Sequence, residues 1–360
     1  MAGIEKLLHR VSPSVRALSA YDSSRPRRRI KLDGNESPFS LSGELRSEIA
    51  RVAENLPLNR YPDPNCEWLK KAVSERTGTD SSGIVFGNGS DELIQILIAA
   101  FCGESETVLV PAPTFSMYAL TAQVLGKKVV KENLTPDFDI NPEAMLAAMN
   151  AHNPDIVFLA SPNSPTGNLL SPGKVEAVIA GAPGIVVVDE AYFSFCGKTH
   201  VALMKKYENL AVMRTFSKIG FAALRLGALF MNPELAAQAE KVRLPYNINS
   251  FTQAAARVFF ENPGVFEENI NIIKSEREKM FQTLGSIDAI KVFPSAANFF
   301  LIQFNGAKTA GEVHRALIEK DILTRNFPDT DMADCLRVTI GLPEENREFE
   351  ESLRAIISGL

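Results

Sequence analysis

The sequence predicts an α/β fold, a mostly parallel central sheet covered by helices, joined to a smaller α+β domain. Three observations carry this expectation. Short runs rich in β-branched and apolar residues recur along the middle of the chain, with helical patterns between them. These runs are nearly continuous in apolar residues rather than alternating, as strands buried on both faces are. Past Asn262-Pro263 the character changes to a long polar helix followed by short strands.

In chain order, Ile84-Val-Phe reads as a strand that runs into a Gly/Ser turn. Thr107-Val-Leu-Val ends at Pro111, and Asp155-Ile-Val-Phe-Leu-Ala is stopped by Ser161-Pro162. Ile185-Val-Val-Val runs into Asp189-Glu190, and Leu210-Ala-Val-Met-Arg-Thr and Leu226-Gly-Ala-Leu-Phe complete the series. Pro142 to Ala151 and Lys174 to Ala180 are long enough to be crossover helices. The later part offers a helix from Glu267 to Leu284 and strands at Lys291-Val-Phe and Asn298-Phe-Phe-Leu-Ile-Gln-Phe. A helix near Ala310 to Glu319 and a strand at Leu336-Arg-Val-Thr-Ile follow.

A length of 360 residues suits two domains. With 45% hydrophobic and 22% charged residues the composition is that of a globular protein, not a disordered or disulfide-stapled chain. A formal net charge of -5 gives no footprint for general nucleic-acid binding. Cys66, Cys102, Cys196 and Cys335 form no zinc spacing, and no two of His9, His152, His200 and His314 share a helical face. Zinc hydrolysis and Cys–His nucleophilic catalysis are therefore discounted, and reduced thiols in a cytosol are expected. The first residues lack a signal-peptide pattern, and the apolar stretch Leu93 to Cys102 is too short to span a bilayer, so the expected location is the cytoplasm. The run Arg25-Pro-Arg-Arg-Arg29 reads as a solvated face, or as an attractor for a phosphorylated substrate.

In open parallel sheets ligands bind beyond the carboxyl ends of the strands, so the residues after each strand are the ones to read. Gly87-Asn-Gly-Ser-Asp-Glu92 opens a helix and suits a phosphate, with Asp91 either an N-cap or part of a ligand site. Pro111-Ala-Pro-Thr-Phe-Ser-Met-Tyr118 places Phe115 at the same edge, as a stacking ring or a core residue. Ser161-Pro-Asn-Ser-Pro-Thr-Gly167 holds Asn163 and leads to Asn168. In Asp189-Glu-Ala-Tyr192 a carboxylate follows four apolar residues, so it needs a cationic partner. Arg214-Thr-Phe-Ser-Lys218, with Arg225 beyond it, offers either a surface lysine or an amine nucleophile. Together these supply an anion cradle, a ring stack, polar partners, a counter-ion and a Schiff-base lysine, the set that holds pyridoxal phosphate.

On these residues the chain resembles fold-type I pyridoxal-phosphate enzymes of the aspartate aminotransferase superfamily, and more closely the histidinol-phosphate aminotransferases. The closer likeness rests on Leu32-Asp-Gly-Asn35-Glu-Ser-Pro38, Asn59-Arg-Tyr61-Pro-Asp, Gly89-Ser-Asp-Glu92 and Pro162-Asn-Ser-Pro-Thr-Gly167. It also rests on Arg214-Thr-Phe-Ser-Lys218, Pro245-Tyr-Asn247, Asn298-Phe299 and Leu336-Arg337-Val-Thr-Ile-Gly341. The motifs span the chain from about Tyr21 to the end. Two departures stand out: the stretch from Lys218 to Arg225 is one residue shorter than usual, and Phe115 stands where Tyr is common.

The resemblance implies a large cofactor domain over 41–270 and a small domain built from 1–40 and 271–360. It implies pyridoxal 5'-phosphate held by Lys218 as Schiff-base lysine and proton carrier, with Asp189 on the ring nitrogen and Asn163 and Tyr192 on the ring hydroxyl. Phe115 stacks on the ring. Ser90 and Asp91 through their backbone, with Thr215, Ser217 and Arg225, hold the phosphate, joined by Tyr61 from the neighbour in a homodimer. Arg337 binds substrate anions, with Arg325, Asn35 and Tyr21 as further candidates for a substrate phosphate. The implied activity is amino transfer between L-histidinol phosphate and 2-oxoglutarate, with glutamate as the carboxylate partner, in histidine biosynthesis. Aromatic amino acid transfer and threonine-phosphate decarboxylation are alternatives on the same fold. A non-catalytic cofactor-binding regulator is the alternative from another class. No metal is called for.

Overall fold

The strongest of the apolar runs forms the middle of the protein. In a computed structural model that describes residues 2–18, 28–328 and 330–359, the described strands are as follows. They are β1 (Ile30–Leu32), β2 (Ile84–Asn88), β3 (Thr107–Ala112), β4 (Lys128–Asn133), β5 (Ile156–Ala160) and β6 (Ile185–Asp189). They continue as β7 (Leu210–Thr215), β8 (Leu226–Phe230), β9 (Ile290–Val292), β10 (Phe299–Phe304), β11 (Ile322–Asn326) and β12 (Cys335–Thr339). Seven of them make one sheet in the order β2-β8-β7-β6-β5-β3-β4. The pairs β4–β3, β3–β5, β5–β6 and β6–β7 are parallel, and β8 runs antiparallel to both β7 and β2.

Both faces of this sheet are covered, which is why its strands read as unbroken apolar runs. Val157, Leu159, Val186, Val188 and Val212 join one core with Leu69, Met145, Met149, Val175 and Ala256 from the helices over them. The alternate residues, Ile156, Phe158, Val187, Ala211 and Met213, join a second core with Leu93, Leu97, Tyr118 and Ala236. Strand β4 was not legible: Lys128–Asn133 lies at the sheet edge and is mostly polar and half-exposed.

The second sheet has the order β1-β11-β12-β10-β9 and draws on both ends of the chain, because β1 pairs in parallel with β11. The helices Pro263–Leu284, Ala310–Glu319 and Pro343–Ser358 share its core through Ile273, Met280, Val313, Leu317, Phe349 and Leu353. The helix Ala310–Glu319 begins at a capping box of Thr309 and Glu312. Among the described residues no helix is long and apolar enough to cross a membrane.

Candidate active site

The carboxyl ends of β2, β3, β5, β6 and β7 face one edge of the large sheet. Strand β8 runs the opposite way, so its beginning, just after Arg225, reaches the same edge. A cavity there is lined by Ser90, Asp91, Phe115, Tyr118, Ala160, Pro162, Ser164, Asp189, Ala191, Tyr192, Thr215, Ser217, Lys218 and Arg225. These residues are separated by as many as 135 positions in sequence, and the strand ends bring them together as the α/β rule requires. A larger groove of about 620 Å³ lies at the opposite edge, with Asp155, Glu208 and Glu234 in its wall. Its described lining holds no basic side chain to attract an anionic cofactor.

Asp189 ends β6 and is buried. Its Oδ2 accepts from the Tyr118 hydroxyl at 2.6 Å, and its Oδ1 accepts from the Ala191 N–H at 2.9 Å. Both donors are neutral. Burial pushes the carboxyl up to about 6, against the lowering effect of those two bonds and of the Lys218 charge; the Asp91 charge pushes the same way as burial. The next residue, Glu190, takes the protein's own cations. Arg214 Nε and Nη2 reach its Oε2 at 3.0 and 2.9 Å, Thr199 donates to Oε2 at 2.9 Å, and the His200 backbone N–H reaches Oε1 at 2.6 Å. The expected cationic partner thus sits on Glu190, and Asp189 is left to meet a cation from the cavity.

Lys218 projects from a single 3₁₀ turn after β7. Its Nζ donates to the Gly34 carbonyl at 3.3 Å and lies 5.9 Å from the centre of the Tyr192 ring. Tyr192 accepts on its hydroxyl from Asn35 Nδ2 at 2.8 Å. Asn35 is itself held by Thr339 and Asn298. The chain segment at 33–35, from the second sheet's side, therefore closes over the lysine.

The phosphate cradle is built on the helix Ser90–Phe101, whose first-turn N–H groups are not used within the helix. Gly89, not Asp91, is its N-cap, with φ +82°. A Cβ on Gly89 would lie 2.4 Å from Arg225 Nη2, so only glycine lets the guanidinium close over the turn. Asp91 instead accepts from Arg225 Nη2 at 2.9 Å. Arg225 Nη1 also reaches Ser217 Oγ at 3.4 Å, and Thr215 Oγ1 lies 3.0 Å from the same oxygen. The turn between Lys218 and Arg225 is left-handed at Gly220, φ +115°, and at Arg225 itself, φ +49°, and it delivers Arg225 to the cradle.

Asn163 is buried behind the cavity wall rather than in it. Its amide donates to the Pro113 carbonyl and Thr166 Oγ1 and accepts from Thr114 Oγ1. Arg337 donates to Ser164 Oγ at 3.1 Å and to the Asp33 carbonyl at 2.7 Å. Arg325 is its direct cross-strand neighbour, which places two like charges on one face. Tyr61 is 80% exposed and stacks on Tyr246 at 4.4 Å, away from its own chain's cavity. Tyr21 lies outside the described residues. Tyr118 was missed as a site residue: in the sequence it reads as one more aromatic on an apolar helix, and only the fold shows its hydroxyl on Asp189.

The site accepts pyridoxal phosphate on its own chemistry. It has a buried carboxylate with no cation in contact among the described residues, an amine in the same cavity, and a glycine-gated cradle of N–H, hydroxyl and guanidinium donors for a dianion. Comparisons with known proteins agree. Residues 27–353 match the family of class I and II aminotransferases. The chain is 39% identical to histidinol-phosphate aminotransferase 2 of Bordetella bronchiseptica over 99% of each chain. It is 38% identical to the histidinol-phosphate aminotransferase of Aquifex aeolicus, over 96% of this chain and 98% of that one. A solved histidinol-phosphate aminotransferase from Clostridium acetobutylicum superposes with a TM-score of 0.84 at 27% identity, covering 92% of this chain and all of that one (100%). The enzyme of that name from Sinorhizobium meliloti, solved in complex with pyridoxal-5'-phosphate, shares the fold with a TM-score of 0.86 at 22% identity, over 97% of this chain and 98% of that one. The chain belongs to the class I and II aminotransferases, and within them to the histidinol-phosphate aminotransferase family.

Proposed function

We propose that this protein is a pyridoxal-phosphate-dependent transaminase that moves the amino group of L-histidinol phosphate to 2-oxoglutarate, as a step in histidine biosynthesis. The observation that carries the reading is the joining of Lys218 and the cation-seeking Asp189 in one cavity beside a phosphate cradle. When bound, the cofactor supplies an electrophilic carbonyl and a ring that takes up electrons. Asp189 would hold positive charge on the ring nitrogen and Tyr192 would hold the ring hydroxyl, while Asn163, bonded to Pro113, Thr114 and Thr166, braces the wall behind the ring. The backbone of Ser90 and Asp91, with Thr215, Ser217 and Arg225, binds the phosphate, and Phe115 covers the ring face. Lys218 anchors the cofactor. Among the described residues its Nζ is the only amine lining the cavity, and once released it would carry the proton at the donor's amine-bearing carbon. Arg337, with Arg325 beside it, serves both the phosphate of one substrate and the carboxylate of the other, while Asn35 fixes the segment above them.

The same proposal includes a homodimer. Tyr61 lines no part of its own cavity, and Leu58 and Leu244 are 85% and 70% exposed nearby in sequence to Tyr61 and Tyr246. Such a residue is placed to reach a neighbour's phosphate cradle. A large domain over 41–270 and a small domain from 1–40 and 271–360 are part of the same proposal, supported by the two sheets, whose strands β2–β8 fall within 41–270 and β1 and β9–β12 outside it. Four free cysteines suit a reducing cytoplasm.

Steady-state rates with histidinol phosphate, phenylalanine, tyrosine and threonine phosphate, each paired with 2-oxoglutarate, test the reading. Histidinol phosphate is expected to give the highest kcat/KM. A faster phenylalanine reaction overturns the substrate, carbon dioxide release from threonine phosphate overturns the reaction class, and a cofactor-loaded protein inert to every donor overturns the enzyme.

A further inference from the structure

Tyr118 has a place that packing alone does not require. Its ring is fully buried and lies flat on Phe158, 4.6 Å between centres at 4°. Its edge meets Phe115 at 5.5 Å and 81°. Its hydroxyl donates to Asp189 Oδ2 at 2.6 Å. The opposite oxygen of Asp189 is fixed by the Ala191 N–H, so the carboxylate cannot rotate without losing one bond. One side chain thus ties the ring that covers the cofactor to the carboxylate that meets its nitrogen.

We propose that Tyr118 is a positioning residue whose hydroxyl keeps the Asp189 carboxylate ionised and fixed in orientation for a cationic ring nitrogen. The inference rests on the cofactor reading above. The charged and titratable groups facing Asp189 are few. Asp91 from the cradle helix disfavours its ionised form and Lys218 favours it, while Tyr192 acts on the Tyr118 phenol. Against burial, the two short neutral bonds are the main local support for the charge, and Tyr118 supplies the one that a side-chain change can remove. Burial and Asp189 together push the Tyr118 phenol well above its usual range, so it stays a donor throughout.

The test is the affinity of cofactor-stripped, full-length protein for pyridoxal phosphate as a function of pH, read by quenching of protein fluorescence. Asp189→Asn supplies the background from the cofactor's own titration. Relative to that background, wild-type affinity is expected to fall as pH drops through about 6, where Asp189 takes up its proton. Tyr118→Phe keeps the ring on Phe158 and removes only the donor. It should move that midpoint up by about one pH unit, the effect of one lost charge-assisted bond. Placing 3-fluorotyrosine at 118 makes the phenol a stronger donor and should move the midpoint down. It serves also if Tyr118→Phe does not fold. A wild-type protein that binds no pyridoxal phosphate overturns the cofactor reading itself. Binding with an unmoved midpoint in both variants, or a shift of the same sign in both, overturns the role of Tyr118 alone.

Discussion

Asp189 and Glu190 are neighbours in sequence, both buried, and the protein treats them in opposite ways. Glu190 Oε2 accepts from both Nε and Nη2 of Arg214 and from the Thr199 hydroxyl, its Oε1 accepts from the backbone of His200, and the Arg214 guanidinium in turn lies 3.7 Å from the centre of the Phe193 ring. It is a completed ion pair that joins the end of β6 to β7. Asp189 receives two neutral bonds and no cation in contact among the described residues. A buried carboxylate left in this state raises the free energy of the folded chain unless something positive arrives. The difference separates a group that serves the fold from one that serves a ligand, one residue apart.

The comparison can be broken by substitution. Lys218→Ala should have the largest effect on turnover, at least about 1,000-fold in kcat, because it removes both anchor and proton carrier. A residual rate within tenfold of wild type would move the chemistry elsewhere. Asp189→Asn should reduce kcat by about 100-fold, as an electrostatic contact made in the transition state does, while leaving the cofactor-free protein as stable as wild type or more so. Glu190→Gln should do the reverse. It leaves Arg214 uncompensated and is expected to destabilise by about 3 kcal/mol, with turnover per folded molecule within a few-fold of wild type. If denaturant unfolding shows Asp189→Asn to be the more destabilising of the two, the distinction fails. Arg337→Ala should raise KM for histidinol phosphate and for 2-oxoglutarate by about tenfold, since one guanidinium serves both anions.

The smallest effect is a pH dependence with a definite sign. Asp189 is raised from 3.8 to about 6 by burial, so the folded, cofactor-free protein holds this proton more tightly than the unfolded chain. That contribution to stability is fully present below the unfolded value and is lost as pH rises through about 6. Urea midpoints of cofactor-free wild type should therefore fall relative to those of Asp189→Asn between pH 4 and 6 and run parallel above. A gap that narrows with rising pH would contradict the assignment.

Much of the fold was legible because the strands of the large sheet are buried on both faces and say so in their composition. The runs at Leu210–Thr215 and Leu226–Phe230 coincide with β7 and β8. What escaped depends on distant pairing. Ile30–Leu32 is too short to announce a strand and becomes one only against Ile322–Asn326. In the site, the residues that follow strands were readable, since the carboxyl edge is fixed by topology. Hydrogen-bond allocation was not. The sequence places two carboxylates and one arginine near each other, and only the fold assigns Arg214 to Glu190 and Tyr118 to Asp189. Asp91 was open as an N-cap, and the left-handed Gly89 takes that position instead.

The central claim is that the amine beside the incomplete carboxylate is where the cofactor is held. Borohydride reduction of the protein loaded with pyridoxal phosphate, followed by peptide mass mapping, tests it most directly. The account predicts one reduced cofactor per chain, on Lys218 and on no other lysine. Modification of a different lysine in an otherwise active protein, or none at all, would contradict it.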